Sequence, residues 1–163
     1  MAFIDENKIR QALNHINIKD IVNEKYFEIK KELMKESQDS DYNEIKDVSF
    51  NDFMSLKENG KISIFNKIID GRTFQQLYRK LREEIVGIDG ATLIDYNGDI
   101  VAVGAIIKIE AGSRGGGRIA AAKTLSHYGV SMEISSDASI KGFAINDEGH
   151  SEQIFVIADY TRQ

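Results

Sequence analysis

Apolar residues in the first part of the chain recur near helical spacing: Ile9, Leu13 and Ile16 in one group, then Ile21, Val22, Phe27, Ile29 and Leu33 in a second. An apolar stripe on each segment predicts helices over roughly 5–16 and 18–36. The polar run Ser37-Gln38-Asp39-Ser40-Asp41 ends the second, because short polar side chains compete with the helix for backbone hydrogen bonds. Short apolar runs between 48 and 70, around the turn signal Asn59-Gly60, predict a short helix followed by a second short element. From Arg72 the period sharpens. Phe74, Leu77, Tyr78, Leu81 and Ile85 predict one amphipathic helix closing near Val86-Gly87, with Tyr78 in its buried stripe.

Beyond Gly90 the pattern changes to the short apolar runs of strands. Ala91–Asp95 and Ile100–Ile109 flank Tyr96-Asn97-Gly98-Asp99, whose Asn-Gly pair marks a hairpin. A glycine-rich stretch at 112–117 precedes Arg118–Leu125, where three alanines favour helix. Strands follow at Val130–Ser135, Ile140–Ile145 and Gln153–Ala158, parted by Ser136-Asp137-Ala138-Ser139 and by Asn146-Asp147-Glu148-Gly149. Helices first, then a sheet with one inserted helix, predict an α/β fold with a mixed central β-sheet flanked by helices. The division this suggests is an N-terminal helical arm over 1–45 and a sheet domain over 46–163.

At 163 residues the chain is long enough for a core that needs no disulfide or structural metal. It has no cysteine, which excludes a thiol nucleophile and any thiolate-ligated metal. His15, His127 and His150 are too scattered for a three-histidine metal site. His127 reads as a C-terminal helix residue favoured by the helix dipole, and the other two as surface positions without a partner. Lys+Arg 21 against Asp+Glu 26 gives a net charge of −5, which argues against general DNA binding but leaves room for a local phosphate pocket. No run approaches the about 20 apolar residues of a membrane span, and Met1-Ala2-Phe3-Ile4-Asp5-Glu6 lacks the secretory pattern. The expected location is cytoplasmic, with no membrane partner.

Three segments have the residue types for ligand chemistry. Gly112-Ser113-Arg114-Gly115-Gly116-Gly117-Arg118 runs into a helix. Glycines let the backbone approach a ligand, a helix N-terminus offers unpaired N–H groups to an anion, and two arginines flank the site. The segment is not a Walker loop, since no Gly-Lys-Ser/Thr follows, and it reads equally as a plain surface loop. Asp89-Gly90-Ala91 sets a carboxylate just before a strand, suited either to a divalent metal beside phosphates or to a simple turn. Glu133-Ile134-Ser135-Ser136-Asp137 closes a strand with two hydroxyls and a carboxylate, which serve as ligands or as a turn.

Taken in order, Asp89-Gly90-Ala91, then Gly116-Gly117-Arg118-Ile119-Ala120-Ala121-Ala122 with Ser126, then Ile134-Ser135-Ser136-Asp137, the chain resembles the diadenylate cyclase nucleotide-binding domain over about residues 72–146. In that family an Asp-Gly-Ala motif opens a strand, a Gly-Thr-Arg-His-Arg-Ala-Ala motif starts a helix and holds the triphosphate, and a Val-Ser-Glu-Glu segment closes the site. The resemblance implies a pocket for an adenine nucleotide or cyclic dinucleotide, Mg²⁺ or Mn²⁺ where a triphosphate is bound, and a homodimer. It transfers the phosphate-holding role to Arg118 alone; Arg114 would reach in as a substitute because three glycines let the loop fold back, and Gly115, Gly116 and Gly117 would donate backbone N–H groups to the phosphate. Gly90, Ala91, Leu93, Ile119, Ser135 and Ser136 would line the nucleotide pocket, with Val103 also against the base. Asp89 and Asp137 would hold the metal, Asp89 being the catalytic carboxylate if the site is active.

The chain departs from that family just after Arg118. Ile119 and Ala120 stand where a histidine and a second arginine would, and neither donates to phosphate. Ser136 replaces an acidic residue. Losing one positioned cation slows phosphoryl transfer by a factor on the order of 10³, so the expectation is a binding domain that acts as a sensor with reduced or lost synthesis. The alternatives are a working diadenylate cyclase that makes cyclic di-AMP from two ATP, and a ligand-free interaction domain that docks through its N-terminal helices.

Overall fold

The computed structural model describes residues 1–37, 50–109, 116–135 and 139–157. Six strands form one mixed sheet, with helices packed on both faces, so the expected α/β class is present. The strands are β1 (Ala2–Ile4), β2 (Ala91–Asp95), β3 (Ile100–Ala105), β4 (Gly129–Ile134), β5 (Ile140–Ile145) and β6 (Ser151–Ile157). Their order across the sheet is β3-β2-β1-β4-β5-β6. The helices are α1 (Ile9–Leu13), α2 (Glu24–Glu36), α3 (Phe50–Asn59), α4 (Lys61–Ile69), α5 (Arg79–Gly87) and α6 (Gly117–Ser126).

β1 has no counterpart in the sequence pattern, because three residues carry no legible period against a helical background. It nevertheless lies inside the sheet, parallel to β2 with Ala2 beside Leu93 and antiparallel to β4 with Ala2 beside Ser131. That position overturns the helical arm over 1–45. Leu13 of α1 and Phe27 of α2 pack into the core against the sheet, so residues 1–37 are part of the sheet domain. α2 starts where the Asn23 side chain accepts a hydrogen bond from the Lys25 N–H at 3.0 Å, a conventional N-cap.

Alternate side chains along β1 and β2 go to opposite faces. Ala2, Ile4 and Leu93 join Leu13, Phe27 and Leu125 in one apolar layer, while Phe3, Ile94 and Ile100 join Phe65, Phe74, Leu77 and Ile85 in the other. Each fully buried leucine or isoleucine in these layers contributes about 1.5–3 kcal/mol. The same alternation sends Asp95 into the first layer, where it is only 1% exposed. There the Tyr26 hydroxyl donates to Oδ2, and the Asp99 N–H donates to Oδ1 at 2.8 Å. Burial, then the hydrogen bond to Asp95, pushes the Tyr26 hydroxyl far above the ordinary tyrosine range.

The helix expected from Arg72 to Gly87 is broken. Phe74–Gln76 is a 3-10 turn, Tyr78 is extended with φ −65° and ψ 152°, and α5 begins only at Arg79. The break cancels the helical phase that Tyr78 would have shared with Phe74, and Tyr78 is 61% exposed rather than in the core. β3 likewise ends at Ala105 instead of Ile109, leaving Ile106 exposed while Ile107 turns back into the core.

Candidate functional site

Strand directions bring the described parts of the three segments to one end of the sheet. Ala91, the first residue of β2, pairs with Ala105, the last of β3. β1 runs parallel to β2 and antiparallel to β4, so Ile134 at the end of β4 lies at the same end as Asp89-Gly90. α6 carries the chain from the far end of β3 back to the start of β4, and its N-terminus therefore opens there as well. Only β1 separates β2 from β4, a lateral distance of two strand spacings or about 9.5 Å.

The Asp-Gly-Ala turn is set by backbone packing. Gly90 has φ +103°, and a Cβ there would stand 2.5 Å from the carbonyl carbon of Gly104. Gly104 has φ +62°, and its Cβ would stand 3.0 Å from the Asp89 carbonyl oxygen. Close approach of the two backbones accounts for glycine at both positions. Lys61 at the start of α4 ties down the same corner, its Nζ donating to Val103 O and to Asp20 Oδ1, both at 2.8 Å. Asp89 itself is exposed, and its side chain makes no hydrogen bond or ion pair among the described residues.

Gly116 and Gly117 are different, because a Cβ on either would meet nothing within 4 Å. Gly116 occupies the N-cap of α6, no side chain caps the helix, and its first turn holds no acidic residue. Arg118, exposed, is the second residue of the helix. A cation beside the positive end of a helix dipole is disfavoured by about 0.3–1 kcal/mol. An anion at this point would satisfy the unpaired N–H groups and reverse that penalty.

The remaining candidates divide. Arg114, Gly115, Ser136 and Asp137 lie outside the described residues. Ala91 is buried beside β3, Ile119 is half-buried on α6, and the Ser135 N–H donates to Ser139 O at 2.9 Å. Leu93 and Val103, at 0% and 1% exposed, sit in the two core layers and wall no ligand; strand alternation sends them into the packed helices. Among the described residues no group of three or more histidine or acidic side chains is placed to hold a metal. Two grooves on the described surface are each about 540–560 Å³, and neither is lined by Asp89, Gly116 or Arg118.

Two residues acquire a defined setting only in the structure. Glu133 is 7% exposed, its Oε2 makes no hydrogen bond, and its cross-strand neighbour Lys141 stands 3.9 Å away. Ser131, two residues earlier on the same face of β4, donates to Ala122 O at 2.5 Å. Alternation along β4 puts Glu133 on the same face as Ser131, the face that packs against α6. The available signal was the spacing of Ser131 and Glu133 on one face of a strand. His15 is the second: far from partnerless, it meets Lys108 O through Nδ1 at 2.9 Å and the Tyr128 hydroxyl through Nε2 at 2.7 Å.

Set against family models, curated proteins and solved structures, the chain matches none.

Proposed function

We propose that this domain binds a phosphate-bearing adenine nucleotide or cyclic dinucleotide at the sheet end formed by Asp89-Gly90 and the start of α6, and that it serves as a sensor rather than an efficient synthase. One observation carries the reading. Among the described residues, the N-terminus of α6 has no side-chain cap, no acid in its first turn and nothing packed against its two leading glycines, and it carries Arg118 at the same sheet end as the Asp-Gly-Ala turn. Charge and geometry there suit an anion, with backbone N–H groups of the first turn and the Arg118 guanidinium as donors. Asp89, exposed at this sheet end, would hold Mg²⁺ or Mn²⁺, whose charge would offset that of the phosphates.

The adenine base rests on the resemblance to the diadenylate cyclase domain alone, since Leu93 and Val103 are committed to the core. Reduced synthesis follows from Ile119 and Ala120, which offer no donor where that family has a histidine and an arginine. Calorimetry of the full chain with ATP and with cyclic di-AMP, each with Mg²⁺, tests the proposal. Binding that weakens by about tenfold or more in Arg118→Ala is expected. Absence of binding to both ligands overturns it. Cyclic product formed from ATP and Mn²⁺, and lost in Asp89→Asn, would replace the sensor with an enzyme.

A further inference from the structure

A second side of α6, from Ala120 to the C-cap His127, borders a groove of about 560 Å³ that the nucleotide reading does not use. Its two walls are helical stripes: Lys8, Gln11 and His15 from the α1 region, and Ala120, Lys123 and His127 from the α6 side. The spacings, three then four on one wall and three then four on the other, aim each set at the same space. Four of the lining residues are lysine or histidine, and no carboxylate lines the groove, in a chain whose net charge is −5. Neither Lys8 nor Lys123 forms an ion pair among the described residues. Favourable contact with the helix C-terminus explains cations on α6, where Lys123 is in the last turn. The same contact accounts for Lys8, whose Nζ reaches the His127 carbonyl at the C-cap of α6, while His15 enters the groove from another element.

The groove is also held in shape. Lys8 Nζ donates to His127 O at 3.1 Å, which fastens the two walls at one end. Because Lys108 O only accepts, His15 Nδ1 donates to it, and Nε2 pairs with the Tyr128 hydroxyl. The two rings lie 5.4 Å apart and form a fixed aromatic end wall. Thr124 and Gln11 add neutral donors.

From this juxtaposition we propose a second ligand site: the α1–α6 groove binds a small phosphate ester, its phosphate held between Lys8 and Lys123 and its hydroxyl groups met by Gln11 and Thr124. The volume falls in the range of small-molecule sites, and opposed cations on two rigid walls suit a compact polyanion better than a single carboxylate. The site is independent of the Arg118 end.

The test is a ¹⁵N–¹H NMR titration of the full chain with pyrophosphate, AMP and glucose 6-phosphate at constant ionic strength. Expected are saturable shifts centred on Gln11, Lys123, Thr124 and His127. Affinity should fall about tenfold or more in the Lys8→Gln/Lys123→Gln double variant and stay within about twofold in Arg118→Ala. The double variant also loses the Lys8–His127 fastening, so the single Lys123→Gln variant, which should keep its melting temperature, must show the same direction of affinity loss. Shifts equally produced by chloride, shifts centred elsewhere, or unchanged affinity in the lysine variants would each overturn the site. Tighter ester than pyrophosphate binding is expected; the reverse would overturn the ester and its hydroxyl contacts. Loss of Arg118-dependent nucleotide binding alone would sink the first proposal and leave this one standing.

Discussion

Two pairs of glycines meet at one end of the sheet, and they are there for different reasons. Gly90 and Gly104 touch backbone to backbone in left-handed conformations, and a side chain on Gly90 would run into the Gly104 carbonyl. Gly116 and Gly117 touch nothing that a methyl group would displace. In sequence both pairs look like candidate ligand loops. Contact among the described residues separates them: packing explains the first pair and does not explain the second. The Asp-Gly-Ala match is thus weaker evidence of a nucleotide than its identity to a family motif suggests, and the bare start of α6 is stronger.

Substitution should break or sharpen that contrast. Gly90→Ala combines a strained positive φ with a backbone clash and is expected to lower unfolding free energy by about 3–5 kcal/mol in urea; a loss under about 1 kcal/mol would show that the corner yields and that Gly90 is not a packing residue. At the other end of β2, Tyr26→Phe strips a buried carboxylate oxygen of its donor and should cost about 1–3 kcal/mol at neutral pH. Because the folded protein holds the Tyr26 proton more tightly than the unfolded chain, that stability is complete below the ordinary tyrosine value of 10.0 and is lost as pH rises beyond it. Denaturation curves across alkaline pH should therefore fall more steeply for the native chain than for Tyr26→Phe.

Gly117→Ala predicts the opposite sign. With open space around it and a helical position to fill, alanine should stabilise by about 0.4–1 kcal/mol while weakening nucleotide binding, a split that a purely structural glycine would not give. The smallest effect belongs to Arg118→Ala. Removing a cation from the positive end of α6 should raise stability by about 0.3–1 kcal/mol without ligand, and thermal shifts on adding ATP should shrink in the same variant. A variant that is destabilised and still binds would return Arg118 to a structural role.

Much of the fold was legible because its signals are local. The Asn97-Gly98 turn joins β2 to β3 as expected, with Gly98 at φ +93°. The alanine-rich helix after the glycines spans Gly117–Ser126, and the strands beyond it fall within a few residues of their predicted bounds. The helix expected over 72–87 was not legible in this way, since Tyr78 fits an apolar stripe perfectly well until the chain extends at that residue. Leu93 and Val103 were misassigned for a related reason: an apolar strand residue near a motif looks the same whether it faces a ligand or a second layer of helices.

Local period and turn chemistry along the sequence thus determined that this is an α/β chain, where its hairpin lies and where α6 begins. Only the tertiary structure decided that Ala2–Ile4 belongs between β2 and β4, that Glu133 lies buried under α6, and that Lys8 faces Lys123 across a groove. The first and last of these join residues whose separation along the chain far exceeds the window in which periodicity speaks. Pairing between distant strands is selected by the burial of whole layers, a property that no short segment carries by itself.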